Sequence, residues 1–208
     1  MGKESIAAAS SPFKNYEMRK IGLYGGSFDP VHCGHLLVAQ AACEELDLER
    51  LFFIPAAQSP FKPHATPAPA SDRVRLLRLA LAGETRMEID LQELERGGTS
   101  YTVETLRVCA ERFPGARFFY LIGADHVTSL SKWRDSGELA ERAEFVVIPR
   151  PGQAIQALPA PFRGQHLRGF PLGVSSSQIR DRIRHRLSIR GLVPEAVGEA
   201  IHNSGLYL

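Results

Sequence analysis

Two kinds of apolar run alternate along this chain. Lys20-Ile-Gly-Leu-Tyr24, Leu51-Phe-Phe-Ile-Pro55, Arg117-Phe-Phe-Tyr-Leu-Ile122 and Glu144-Phe-Val-Val-Ile148 are short and continuous. That is the pattern of strands buried on both faces, as in a parallel sheet. Met87-Glu-Ile-Asp-Leu91 is a further strand candidate. Between these runs lie helical ones. Leu36–Ala42 reads as a helix. Ser71 can cap another, with Val74, Leu77 and Leu81 at helical spacing and Gly83 ending it. Ser100 can cap a third, reaching about Phe113 before Pro114-Gly115. Residues 153–171 predict an exposed connection with a short strand, and two closing helices start near Ser177 and at Pro194. The alternation predicts an α/β fold: a Rossmann-like, doubly wound, mostly parallel sheet with helices on both faces.

Composition narrows the class. At 208 residues, 44% of them hydrophobic and 23% charged, the chain has the length and makeup of one soluble domain. Residues 1–18 are small and polar and read as a disordered extension. Residues 19–208 read as a single domain, with the helices from about 175 packed on it. A net charge of +2 calls for neither nucleic acid nor membrane as a partner. Three cysteines without a CxxC pair, and no secretory signal, predict a reducing cytoplasm. No run is long enough to cross a bilayer. Monomer and homodimer both stay open.

The chemistry concentrates in Gly25-Gly26-Ser27-Phe28-Asp29-Pro30-Val31-His32-Cys33-Gly34-His35, between the first strand and the first helix. A strand, a glycine turn and a helix start make an anion seat, because first-turn N–H groups lack intrahelical partners and lie at the positive dipole end. His32 and His35, three residues apart, can each donate to a phosphate oxygen. The string fits neither the P-loop nor the dinucleotide-binding glycine pattern. As isolated residues, two histidines at a turn also suit solvent-exposed side chains, or a metal site that would need further ligands. Val174-Ser175-Ser176-Ser177-Gln178-Ile179-Arg180 is a second candidate seat, with serine hydroxyls at a helix start and an arginine one turn in. Arg180–Arg190 holds five arginines and one acid; Ile179, Ile183 and Leu187 recur every four residues, so it reads as an amphipathic helix with a solvated basic face.

The string GGSFDPVHCGH resembles the G-[TS]-F-D-P-[IV]-H-x-G-H signature of nucleotidyltransferases related to class I aminoacyl-tRNA synthetases. The whole pattern looks most like bacterial nicotinate-nucleotide adenylyltransferases. Val174–Arg180 is similar to their I-S-S-T-x-I-R motif, with Val for Ile and Ser for Thr. Gly123-Ala-Asp125 followed by Trp133 matches their G-A-D-x(7)-W. Gly98–Thr102 resembles their S-Y-T segment, and Pro60-Phe61-Lys62 matches P-H-K except that Phe61 stands for His.

The resemblance implies a nucleotidyltransferase fold and adenylyl transfer from ATP to nicotinate mononucleotide, with Mg2+ carried by the ATP. It implies catalytic roles for His32, His35 and Arg180. Phosphate or ATP contacts are implied for Gly25, Gly26, Ser27, Phe28, Gly34, Lys62, Gly123, Asp125, Val174, Ser175 and Ser176. Tyr101, Thr102 and Trp133 are implied to hold the mononucleotide, the indole stacking on its pyridine ring. On residues alone, Asp125 also suits a strand-end cap and Trp133 simple packing. Nicotinamide-mononucleotide and phosphopantetheine adenylyltransferases stay open as alternatives, as does a non-catalytic nucleotide-sensing or RNA-binding module.

Overall fold

A computed structural model describes residues 18–61, 66–152, 155–169 and 172–208. The extension expected over 1–18 lies outside these residues, apart from Met18. The apolar runs form the strands. β1 (Lys20–Gly26), β2 (Arg50–Pro55), β3 (Met87–Ile89), β4 (Arg117–Gly123), β5 (Ala143–Ile148) and β6 (Gly164–His166) make one sheet in the order β3-β2-β1-β4-β5-β6, with every pairing parallel. Alternate residues of each strand face opposite ways, so each apolar run supplies two cores. Leu51, Phe53, Phe119, Leu121 and Val146 face one cluster, and Phe52, Ile54, Phe118, Tyr120, Ile122, Phe145 and Val147 the other.

The first cluster is covered by α1 (Cys33–Glu45), α2 (Ala70–Ala80), α6 (Ser176–Arg184) and α7 (Glu195–Ser204). The second is covered by α4 (Thr102–Arg112), a 3₁₀ segment (Ala124–Lys132) and α5 (Ser136–Arg142). The architecture is the doubly wound α/β sheet expected. The strand order reverses between β1 and β4, and ligands of such sheets bind beyond the carboxyl ends at that point.

Several local expectations are corrected. Ser71 lies inside α2, which Pro69 enters as the N-cap residue. Ser100 does not cap α4; Tyr101 holds that position. The Ser100 hydroxyl instead accepts the Ala57 N–H (3.0 Å), and its own N–H donates to Gln58 O (2.9 Å). β3 stops at Ile89 because the Asp90 carboxylate turns the chain, accepting from the Gln92 backbone (3.1 Å) and side chain (2.9 Å). A short helix, α3 (Gln92–Arg96), follows. The last basic helix ends at Arg184, well before Arg190. Arg186 has φ of 53° and Leu187 is 53% exposed, so Leu187 is not on the apolar face with Ile179. Cys33, Cys43 and Cys109 are unbonded thiols. No helix among the described residues is long and apolar enough to cross a membrane.

Candidate active site

β1 ends in Gly25-Gly26 because the chain must pass close beneath two rings. A Cβ on Gly25 would sit 2.5 Å from the Tyr120 hydroxyl, and one on Gly26 about 3.1 Å from the Phe28 ring. Phe28 itself has φ of 47°, a conformation uncommon for a bulky residue. Its ring, 1% exposed, is locked edge-on against Tyr24 (centroids 5.5 Å) and His35 (5.0 Å) and lies beside Phe53 (5.3 Å). Packing therefore holds the strained turn in place.

His32 is the N-cap residue of α1. Its backbone N–H donates to His35 Nδ1 (3.2 Å), and the two imidazoles stack with centroids 3.6 Å apart. An acceptor at Nδ1 puts the His35 proton on Nε2, leaving that N–H as the donor. Gly34 allows a close approach between them: a Cβ there would press on Val174 Cγ1 at 3.0 Å and on the His32 ring at 3.1 Å. Val174 thus comes from the far end of the chain to sit against the first motif.

That meeting is reinforced by hydrogen bonds. Arg180 Nη1 donates to Asp29 O (2.6 Å) and lies 3.5 Å from Asp29 Oδ2. The Ser176 hydroxyl donates to Pro30 O (2.9 Å), so it docks α6 onto the signature loop. Ser175 is the N-cap residue of α6, in a reciprocal box with Gln178: Gln178 N–H to Ser175 Oγ at 3.3 Å, Ser175 N–H to Gln178 Oε1 at 2.9 Å. Ser27 adds a carbonyl to which the buried Arg73 donates (2.8 Å).

Gly123 ends β4, and Asp125 is the second residue of the 3₁₀ segment that follows. The Asp125 carboxylate pairs with Arg150 (3.2 Å) and folds back so closely that a Cβ on Gly123 would lie 2.4 Å from Oδ1. The N-cap position of the 3₁₀ segment is Gly123, and no side chain caps it. On the other side of the sheet, Trp133 is half-buried against Tyr120 and Phe145, edge to face at 6.5 and 6.4 Å. Phe61 lies on it at 5.2 Å and on His126 at 4.9 Å. Tyr101 and Thr102 begin α4, where no side chain caps the first turn, and the Thr102 hydroxyl donates to Tyr120 Oη (3.3 Å). Lys62 lies outside the described residues.

Compared with known proteins, residues 23–182 match the cytidylyltransferase-like family. A probable nicotinate-nucleotide adenylyltransferase of Opitutus terrae is 41% identical over 191 residues, 90% of this chain and 97% of the relative. Its counterpart in Thermus thermophilus is 41% identical over 194 residues, 90% and 99% of the two chains. The chain belongs to the nicotinate-nucleotide adenylyltransferase family. Its fold is also similar to that of Plasmodium falciparum nicotinic acid mononucleotide adenylyltransferase complexed with NaAD. There the TM-score is 0.75 at 18% identity, over 91% of this chain and 97% of that one.

The histidines bring little fixed positive charge to this seat. Burial pushes His32 down to about 4 from an ordinary 6.5, and pushes His35 well below that ordinary value, the neighbouring His32 adding to the effect. Both rings are neutral near pH 7. His32 Nδ1 is buried without a hydrogen-bond partner among the described residues.

Sequence reasoning missed several members of the site. Asp29 was visible only as a letter of the signature. Arg150 and Tyr207 had no local signal, since each meets these residues by tertiary packing, and Arg134 stands beside Trp133 without a motif of its own. The Arg134 guanidinium lies 4.6 Å from the Tyr101 ring centroid and is held by Glu104 (2.9 Å).

The folded-state pKa of His32 is depressed, so the unfolded chain binds the extra proton between pH 6.5 and about 4. Stability is then complete above pH 6.5 and falls as pH drops toward 4, by at most about 3 kcal/mol from this ring. Thermal melts at pH 7 and 5 will show the drop, and His32→Gln will reduce it, leaving the part due to the buried His35 ring. Trp133 is the only tryptophan, and Phe61 covers part of it. Phe61→Ala will therefore shift its emission to the red in a protein of unchanged far-UV circular dichroism.

Proposed function

We propose that the protein transfers the adenylyl group of ATP to nicotinate mononucleotide, giving nicotinate adenine dinucleotide and pyrophosphate. The observation that carries this reading is the union of the Gly25–His35 turn with the start of α6 at the sheet's switch point, through Arg180–Asp29 and Ser176–Pro30. The mononucleotide's phosphate oxygen attacks the α-phosphorus in line, a new P–O bond forms, and the bond to the β-phosphate breaks. The attacking phosphate arrives ionised, so no protein base has to remove a proton. Positioning and stabilisation of charge on the phosphate oxygens then supply the rate.

In this reading His35 donates from Nε2, and His32 beside it, to the α- and β-phosphates. A neutral imidazole at each point stabilises oxygen charge without drawing the ground-state triphosphate into a tight ion pair, which leaves more of the interaction for the transition state. Ser27, Arg180 and the first turn of α6 hold the phosphates that leave; the Ser176 hydroxyl is engaged with Pro30, so its backbone N–H is the group that serves. Gly25, Gly26, Phe28 and Gly34 shape the turn, Val174 and Ser175 place α6, and Gly123 and Asp125 face the nucleoside. The α4 start at Tyr101-Thr102 suits a carboxylate through its helix dipole. Trp133 offers the best aromatic face for a cationic pyridinium.

Mg2+ enters as part of the substrate. The Asp29 carboxylate is engaged by Tyr207, Ala68 and Arg180 and that of Asp125 by Arg150. Among the described residues, no three or more His, Cys, Asp or Glu side chains are grouped so that they could hold a metal ion. The donor set fits an ion held by phosphate and water.

Pyrophosphate release from ATP, assayed with nicotinate mononucleotide, its amide, phosphopantetheine and no acceptor, tests the assignment. Release is expected with the first, and preference for another acceptor overturns it. His35→Ala should lower turnover by roughly 10²–10³, as for loss of one transition-state donor; near-normal turnover in folded protein rejects the phosphate role. Trp133→Ala should raise the KM of the mononucleotide about tenfold and leave that of ATP within twofold. Equal effects on both substrates would argue against stacking.

A further inference from the structure

Asp29 is 5% exposed, and its carboxylate joins segments from distant parts of the chain. Oδ1 accepts the Tyr207 hydroxyl (2.8 Å) and the Ala68 N–H (3.2 Å), while Oδ2 faces Arg180 Nη1 (3.5 Å). Arg73, 2% exposed, braces the same loop by donating to Ser27 O (2.8 Å) and Ala68 O (3.1 Å). Tyr207 reaches this point through an uncommon backbone conformation. The chain turns after α7 at Gly205 (φ 64°), and Tyr207 itself has φ of 74°. Its ring packs against the first core cluster.

We propose that Tyr207 is a positioning residue for adenylyl transfer, holding one oxygen of Asp29 so that Arg180 keeps its guanidinium fork turned to the triphosphate. The inference rests on the phosphate-binding role of Arg180. A carboxylate turns easily about its last torsion, and an arginine beside it favours the two-oxygen, two-nitrogen pairing. With both oxygens available, Asp29 would take Arg180 in that paired geometry and occupy the nitrogens that ATP needs. Two donors on Oδ1 prevent this. Arg180 is then tethered by Nη1 alone, and its remaining N–H groups stay free for the substrate. The tether also removes part of the rotamer freedom that a 34% exposed side chain would otherwise lose on binding. Burial, followed by the Asp29 charge, raises the Tyr207 phenol above its ordinary range, so the hydroxyl keeps its proton for donation.

The test uses Tyr207→Phe, which removes the hydroxyl and keeps the ring. Affinity for an ATP analogue that cannot transfer its adenylyl group is measured by calorimetry, alongside kcat and both KM values per folded site. The variant is expected to bind the analogue about 3- to 10-fold more weakly, the scale of one ordinary hydrogen bond. The KM for ATP should rise and that for the mononucleotide stay within twofold. Arg180→Ala should weaken analogue binding by itself, and adding Tyr207→Phe to it should change nothing further. A Tyr207→Phe protein with a lowered melting temperature but unaltered ATP affinity overturns the proposal in favour of simple anchoring. The same penalty in the Arg180→Ala background overturns it as well. If Arg180→Ala leaves analogue binding intact, the phosphate role of Arg180 falls first, a result distinct from the other two. If Tyr207→Phe fails to fold, Tyr207→His, which retains a ring N–H donor, replaces it: near-normal ATP affinity is expected, and a full loss rejects the proposal.

Discussion

The contact between Arg180 and the Asp29 carbonyl spans 151 positions of sequence, and the rest of the site depends on it. The signature turn by itself is a strained loop leading into a helix of low polarity. The start of α6 by itself is a serine-capped helix of a common kind. Joined, they bring a guanidinium, two imidazoles and the starts of α1 and α6 together. Gly34 and Val174 show how tight the join is, because even a methyl group at position 34 would press on both partners. Ser176 bonds to the Pro30 carbonyl rather than pointing freely into the site, so the second motif serves as much to fasten as to bind.

Charge is distributed unevenly in this arrangement. The groups closest to the helix start are neutral imidazoles, kept so by burial, whereas the fixed positive charge of Arg180 is tied to a carboxylate. An incoming triphosphate changes that balance, since an anion favours the protonated ring. The resting site therefore stores little repulsion between cations and, in the proposed reading, meets the phosphates largely with oriented N–H groups. Such groups need no counterion in the empty state and no reorganisation when substrate arrives.

Much of this was legible in the sequence, and for physical reasons. Runs such as Phe118 to Ile122 are apolar on both sides because the strand is covered on both faces, so they announce a parallel sheet directly. The glycines and histidines of 25–35 have few other uses in that order. What was not legible depended on tertiary competition for the same local signals. Ser100 has the type and place of a helix cap, yet its hydroxyl is taken by the chain after β2. Leu187 continues a four-residue rhythm, yet the helix that would carry it has ended at Arg184. Phe61 departs from the related motif, yet it packs on Trp133 and His126 and so enters the site by shape rather than by identity. The proposed acceptor side, Tyr101, Thr102 and Trp133, rests on single residues that nothing nearby in sequence reinforces, and its sequence signal was correspondingly faint.

The distance in sequence between the two halves of the proposed phosphate seat has a consequence in time. A chain made from its N-terminus exposes Gly25–His35 long before the segment through Tyr207 exists. Closing a loop of this length costs roughly 4 kcal/mol of chain entropy, to be recovered only when α6 and α7 dock together on the first core. The turn that carries the histidines then stays without its arginine and its second helix start until the final segment of the fold is in place. The triphosphate seat proposed here therefore depends on the docking of α6 and α7 and not on the signature turn alone.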